Sequence, residues 1–116
     1  MELKMVRRKV IQIQGSVLSQ IGEITETARM TVSEICLGID DMQLLGNKAL
    51  VLRTEINPEK LPSLYGALVS TGVKLHKPSL PDIKGLREDI EYPLSIQITS
   101  FSDDTDGRTN IPKVPG

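Results

Sequence analysis

One thiol and one imidazole are the only side chains of their kinds among 116 residues, so thiolate or imidazole chemistry must begin with Cys36 or His76. A cysteine nucleophile needs a basic or cationic neighbour to lower its pKa. Cys36 instead sits in the apolar run Ile35-Cys36-Leu37, which reads as the interior of a strand. There it acts as a small hydrophobe with a raised pKa. A single histidine cannot build a multi-histidine metal site, and no cluster of His or Cys accompanies His76. It follows Val73-Lys74-Leu75 ahead of a proline-bearing stretch, a setting for a solvated or capping imidazole.

Ser102-Asp103-Asp104-Thr105-Asp106-Gly107 invites a calcium-loop reading, with Ser102, Asp104, Asp106 and Gly107 at the first, third, fifth and sixth positions. The twelfth position is then Lys113, where such a loop needs a bidentate glutamate. The segment reads as an acidic surface turn. Asp40-Asp41, Glu88-Asp89 and Glu91 supply carboxylates with no partner to set one pKa against another. Gly15 and Gly22 are too isolated for a phosphate-cradling loop. Arg7-Arg8-Lys9, with Lys4 before it, is the basic cluster, but strand alternation would place Arg8 opposite the other two. Cations of this kind guard a sheet edge against pairing. The sequence thus names no catalytic residue, no metal ligand and no cofactor.

Composition narrows the classes further. Fourteen basic side chains face fifteen acidic ones, for a net charge of −1, so no global field draws the chain to nucleic acid or membrane. Two tyrosines, one phenylalanine and no tryptophan leave too few rings for a base-stacking platform, and the core must be aliphatic. One cysteine permits no intrachain disulfide. No run approaches the roughly 20 apolar residues of a membrane helix, and the basic start lacks the apolar stretch of a signal peptide. The expectation is a cytoplasmic protein with no nucleic-acid partner and no membrane attachment.

The elements that would position these groups are clearest between residues 48 and 72. Residues 48–56 alternate, with Leu50, Leu52, Thr54 and Ile56 on one face. Asn57 is a good helix cap and Pro58 fits a first helical position. Pro62 would delete a helical bond inside a helix begun at Asn57. The reading is therefore a separate turn over 57–60 and a helix from Pro62, its stripe formed by Leu61, Leu64, Tyr65 and Leu68. Gly72 then ends it.

Upstream, residues 5–14 read as a strand with Ile11 and Ile13 inward. A helix over 16–28 follows, capped by Ser16 and striped by Val17, Ile21, Ile24 and Ala28. Threonines 25, 27 and 31 favour strand, so an alternative runs strand from about residue 24. The preferred strand covers 30–39 through Ile35, Leu37 and Ile39, with a bulge near Ser33-Glu34. Residues 40–47 read as a loop closing on the Gly46-Asn47 turn.

Beyond Gly72, a short strand at 73–75 precedes an excursion over 76–92 with a helical turn at 82–89. A last strand spans 93–101 with Leu94, Ile96 and Ile98 inward. The order strand, helix, strand, strand, helix, strand predicts an α+β fold of the ferredoxin-like βαββαβ type, a four-stranded antiparallel sheet with two helices on one face. Residues 1–101 form the expected single domain, and 102–116 a flexible C-terminal tail.

With no reactive constellation, the expected function is a small non-enzymatic binding or regulatory module acting through protein–protein contacts and self-associating as a homodimer through its sheet. Met42, Leu44 and Leu45, greasy for a loop, are the candidate partner contacts, together with residues 105–116. An alternative is a small-molecule sensor that takes an anionic ligand at strand–helix junctions, with Ser16 and Asn57 as donors. A third reading is a small enzyme using Cys36 or His76.

Overall fold

The computed structural model describes residues 10–77 and 85–101. Strand β1 (Ile11–Val17) leads to helix α1 (Ile21–Cys36), then to β2 (Asp41–Leu45) and β3 (Ala49–Ile56). A 3-10 turn (Pro58–Lys60) precedes α2 (Leu61–Ser70), followed by β4 (Lys74–Leu75) and β5 (Tyr92–Ser100). The basic cluster at 7–9, the acidic turn at 102–107, the tail and residues 82–84 of the turn expected at 82–89 lie outside the described residues; residues 85–89 of that turn are described and form no α-helix.

The fold is α+β, but the sheet is five-stranded and mixed, not four-stranded and antiparallel. Its order is β2-β3-β5-β1-β4. The edge position beside β1 is filled by β4, antiparallel to it through Gly15–Leu75 and Ser16–Lys74. The last strand therefore enters the middle of the sheet, parallel to β1 and antiparallel to β3. A strand of two residues took the slot that the expected topology reserved for the final one.

Alternation sorts the sheet into two faces. Ile11, Ile13 and Val17 of β1, Leu50, Leu52 and Ile56 of β3, and Leu94, Ile96 and Ile98 of β5 form one buried cluster. Ile21, Ile24, Ala28 and Val32 of α1 and Leu61, Leu64 and Leu68 of α2 close over it, so both helices pack on the same face. The core is aliphatic apart from Tyr92, whose hydroxyl accepts from the Arg87 N–H at 2.9 Å.

Helix α1 starts later and runs further than the sequence suggests. Ser16 is a strand residue paired with Lys74 and Thr99, and the helix cap is Gln20, with no side-chain capping bond. The strand expected at 30–39 is absent: its first part completes α1. Each β-branched residue in a helix costs only tenths of a kcal/mol, about 0.7 at most, whereas burial of Val32, at full depth, contributes about 1.5–3 kcal/mol. The hydroxyl of Thr25 donates back to the Ile21 carbonyl at 2.7 Å.

Leu37 ends the helix in the left-handed region at φ 60°, and Gly38 follows at φ 126°. The loop expected over 40–47 is mostly strand β2, and Gly46, at φ 61°, makes the reversal in which the Leu45 carbonyl accepts from the Lys48 N–H. The separate turn before α2 is present, with the Asn57 side chain accepting from the Glu59 N–H at 2.9 Å.

Candidate functional site

Helices cover one face of the sheet, so binding capacity is concentrated on the other face and along the edges. The open face carries Gln12, Gln14 and Ser16 of β1, Ser95, Gln97 and Thr99 of β5, and Ala49, Val51, Arg53 and Glu55 of β3. Register places Gln14 beside Gln97 and Ser16 beside Thr99, with Lys74 flanking Ser16 on the outer side. These residues line an open groove of about 370 Å³ that also takes in His76 and Phe101.

Two backbone bonds fix its ends: the His76 N–H donates to the Gln14 carbonyl at 2.8 Å, and the Phe101 N–H to the Val17 carbonyl at 2.9 Å. Gly15 sets the width. A Cβ there would lie 2.6 Å from Val73 Cγ1 and 3.1 Å from the Lys74 carbonyl oxygen, so only glycine lets β4 approach this closely.

The groove is lined by polar and apolar surface in about equal parts, Leu75 and Phe101 supplying apolar side chains, and its described lining carries little charge. Lys74 supplies its ammonium, and no carboxylate is among the described residues lining it. Among the described residues, the side chains of Gln14, Ser16, Lys74, Gln97 and Thr99 make no hydrogen bond or ion pair. The far side of the same face behaves differently: Arg53 donates to Asp41 Oδ2 at 3.0 Å, neutralising that end with an exposed pair worth little in stability.

The second surface is the opposite edge of the sheet. All five residues of β2 are exposed, and among the described residues β2 pairs with β3 alone. Met42 and Leu44 lie opposite Leu52 and Leu50, on the helix-bearing face yet beyond the helices' cover, 41 % and 51 % exposed. Leu45 lies opposite Ala49 on the open face, 45 % exposed. The three apolar residues of the expected loop thus form an edge strand.

The remaining candidates are dispersed. Cys36 is the last residue of α1, not a strand residue, and packs against the core. Burial pushes its thiol up to about 11, with Lys60 lowering it and Glu91 raising it by smaller amounts. His76 lies at the groove across the sheet from that helix layer, so the structure does not bring thiol and imidazole into one site. Ser16 lines the groove, whereas Asn57 caps the 3-10 turn and donates through Nδ2 to the Glu88 carbonyl at 2.8 Å. The two anion-contact candidates therefore serve different places.

Asp89 is held below the usual carboxylate range by its hydrogen bond to Arg87, an exposed surface pair. Among the described residues no group of three or more His, Cys, Asp or Glu could hold a metal ion. Nor is any described helix long and apolar enough to cross a membrane.

The sequence reading missed Gln14, Lys74, Gln97, Thr99 and Phe101. A signal was there: β1 and β5 both alternate apolar residues with uncharged polar ones, a pattern that marks a solvated face. Only their pairing reveals that the two polar rows adjoin. Comparison of the chain with protein-family models, curated proteins and solved structures found no match in any of the three.

Proposed function

We propose that this chain is a non-enzymatic binding module that self-associates by pairing the edge strand β2 with the same strand of a second copy. The observation that carries the reading is the exposure of all five β2 residues, three of them apolar. An uncovered edge offers outward N–H and C=O groups to an incoming strand, and strand addition is a recurrent mode of protein recognition.

Antiparallel pairing about a two-fold axis through Gln43 uses the whole strand. Asp41 then meets Leu45 of the second copy, and Met42 meets Leu44. Directly opposed side chains share a face, so two methionines and two leucines gather on the helix side. No like charges meet in this register. Natural edges are usually protected by lysine, proline or a bulge, and the run Asp41-Met42-Gln43-Leu44-Leu45 has neither lysine nor proline. Five residues a side fall short of the roughly 20–30 of a standard interface, so the association is weak and reversible.

Sedimentation velocity over a range of concentrations tests the proposal. The protein shifts from monomer to dimer as concentration rises, and Leu44→Lys abolishes the shift while its circular dichroism and Tm stay unchanged. A chain that is monomeric throughout, or a variant that associates equally well, rejects it.

A further inference from the structure

The groove at the other edge carries a separate inference. We propose that it is a binding site for a small organic acid, a single carboxylate on a body that also forms hydrogen bonds. Its volume of about 370 Å³ lies at the lower end of the range for small-molecule sites, about 300–1,000 Å³.

The lining selects the chemistry. One ammonium, with no carboxylate among the described lining residues, favours a ligand bearing one negative charge. Nucleic acid or a polyphosphate would call for several cations, and a metal ion for carboxylates or imidazoles. Gln14 and Gln97 stand side by side on adjacent strands, so their amides present donors and acceptors to a single ligand. The hydroxyls of Ser16 and Thr99 occupy the next rung, with Lys74 beyond Ser16. A carboxylate between Lys74 and those hydroxyls forms charge-assisted hydrogen bonds, the stronger kind. Phe101, 62 % exposed, offers an apolar ring to the ligand body.

The polar groups are also ready to bind. Among the described residues none of these five side chains has a hydrogen-bond or ion-pair partner, so a ligand competes with none of those residues for them. The two central strands hold Gln14 and Gln97 in a fixed register, and Gly15 holds β4 against β1. Rigid strands reduce the ordering cost of binding.

The test is an NMR titration of the ¹⁵N-labelled protein with 4-hydroxybenzoate, using 4-hydroxybenzamide and inorganic phosphate as matched probes. The acid produces saturable shifts at the side-chain amides of Gln14 and Gln97 and at the backbone amide of Lys74. The uncharged amide produces far weaker ones. Lys74→Met weakens the acid about tenfold or more, the loss of one charge-assisted contact, while the rest of its spectrum overlays the parent.

No saturable shift, an equal response to the benzamide, or unaltered affinity in Lys74→Met overturns the site. An equal response to phosphate overturns the organic-acid assignment. Repeating the titration with Leu44→Lys gives the same shifts, because the groove and β2 occupy opposite edges of the sheet.

Discussion

Replacing Gly15 by alanine adds one methyl group where the structure has least room for it. The new Cβ would stand 2.6 Å from Val73 Cγ1 and 3.1 Å from the Lys74 carbonyl oxygen. Val73 is buried at 3 % exposure, and a β-branched side chain has few alternative rotamers. The carbonyl is backbone, so relief requires β4 to move away from β1. Overpacking of this kind costs about 1–3 kcal/mol, and removing a glycine from a strand returns about 0.5–1 kcal/mol. The expected net loss is about 1–2 kcal/mol, read as a lower urea midpoint with an unchanged m-value.

Gly66→Ala is the control, since nothing lies within 4 Å of a Cβ at Gly66 and the residue is exposed within α2. It should raise stability by up to about 1 kcal/mol, so the same chemical change has opposite signs at the two sites. If Gly15→Ala is as stable as the parent, β4 does not pack on β1 as described, and the wall of the groove loses its structural basis.

Three further outcomes follow from Leu37 and Cys36. Leu37 occupies the left-handed region at φ 60° with 84 % of its surface exposed, so it bears strain with little packing in return. Leu37→Gly should stabilise the protein by about 0.5–1 kcal/mol, the left-handed penalty of about 1–2 kcal/mol less the added entropy of glycine in the unfolded chain; a lower urea midpoint would refute this. The Cys36 thiol is raised from 9.0 to about 11 by burial, which leaves roughly a hundredfold less thiolate at neutral pH than a free thiol has. Native protein should therefore react far more slowly with a thiol-exchange reagent than denatured protein does. Because the folded value is the higher one, its stabilising contribution is complete below pH 9 and is lost as pH rises through about 11. Cys36→Ala should flatten that alkaline slope, and a slope equal to the parent's would contradict the assignment.

The parts of the fold legible in the sequence were those with an unambiguous period. Leu50, Leu52 and Ile56 alternate in β3, Leu94, Ile96 and Ile98 in β5, and Leu61, Leu64 and Leu68 repeat helically in α2; all are buried. The separate turn before α2 followed from Pro62. Helix α1 was misread because Ile35, Leu37 and Ile39 imitate a strand, although Ile35 belongs to the helix, Leu37 to its left-handed end and Ile39 to the loop beyond. Propensity at the threonines pointed the same wrong way, and burial of Val32 overrode it.

Strand β2 escaped notice because an edge strand with no buried side leaves no alternation to find. Sheet order was not legible either, since periodicity tells which face a residue takes but not which strand lies beside it. That is why the groove remained hidden: Gln14 and Gln97 meet only through the pairing of β1 with β5. Met42, Leu44 and Leu45 stood out by composition alone, without their strand.

Pairing of β2 with itself is tested most directly by a cysteine at the proposed symmetry axis. In a Cys36→Ala background, Gln43→Cys places two thiols opposite each other in the dimer. Opposed residues of an antiparallel ladder have Cα atoms about 4.5–5.5 Å apart, within the disulfide range of about 4.4–6.8 Å. Under mild oxidation at a concentration where the dimer is populated, this variant should form a disulfide-linked dimer rapidly. Glu23→Cys, exposed on α1, should link no faster than random collision allows. Equal rates for the two variants would contradict the edge-to-edge association.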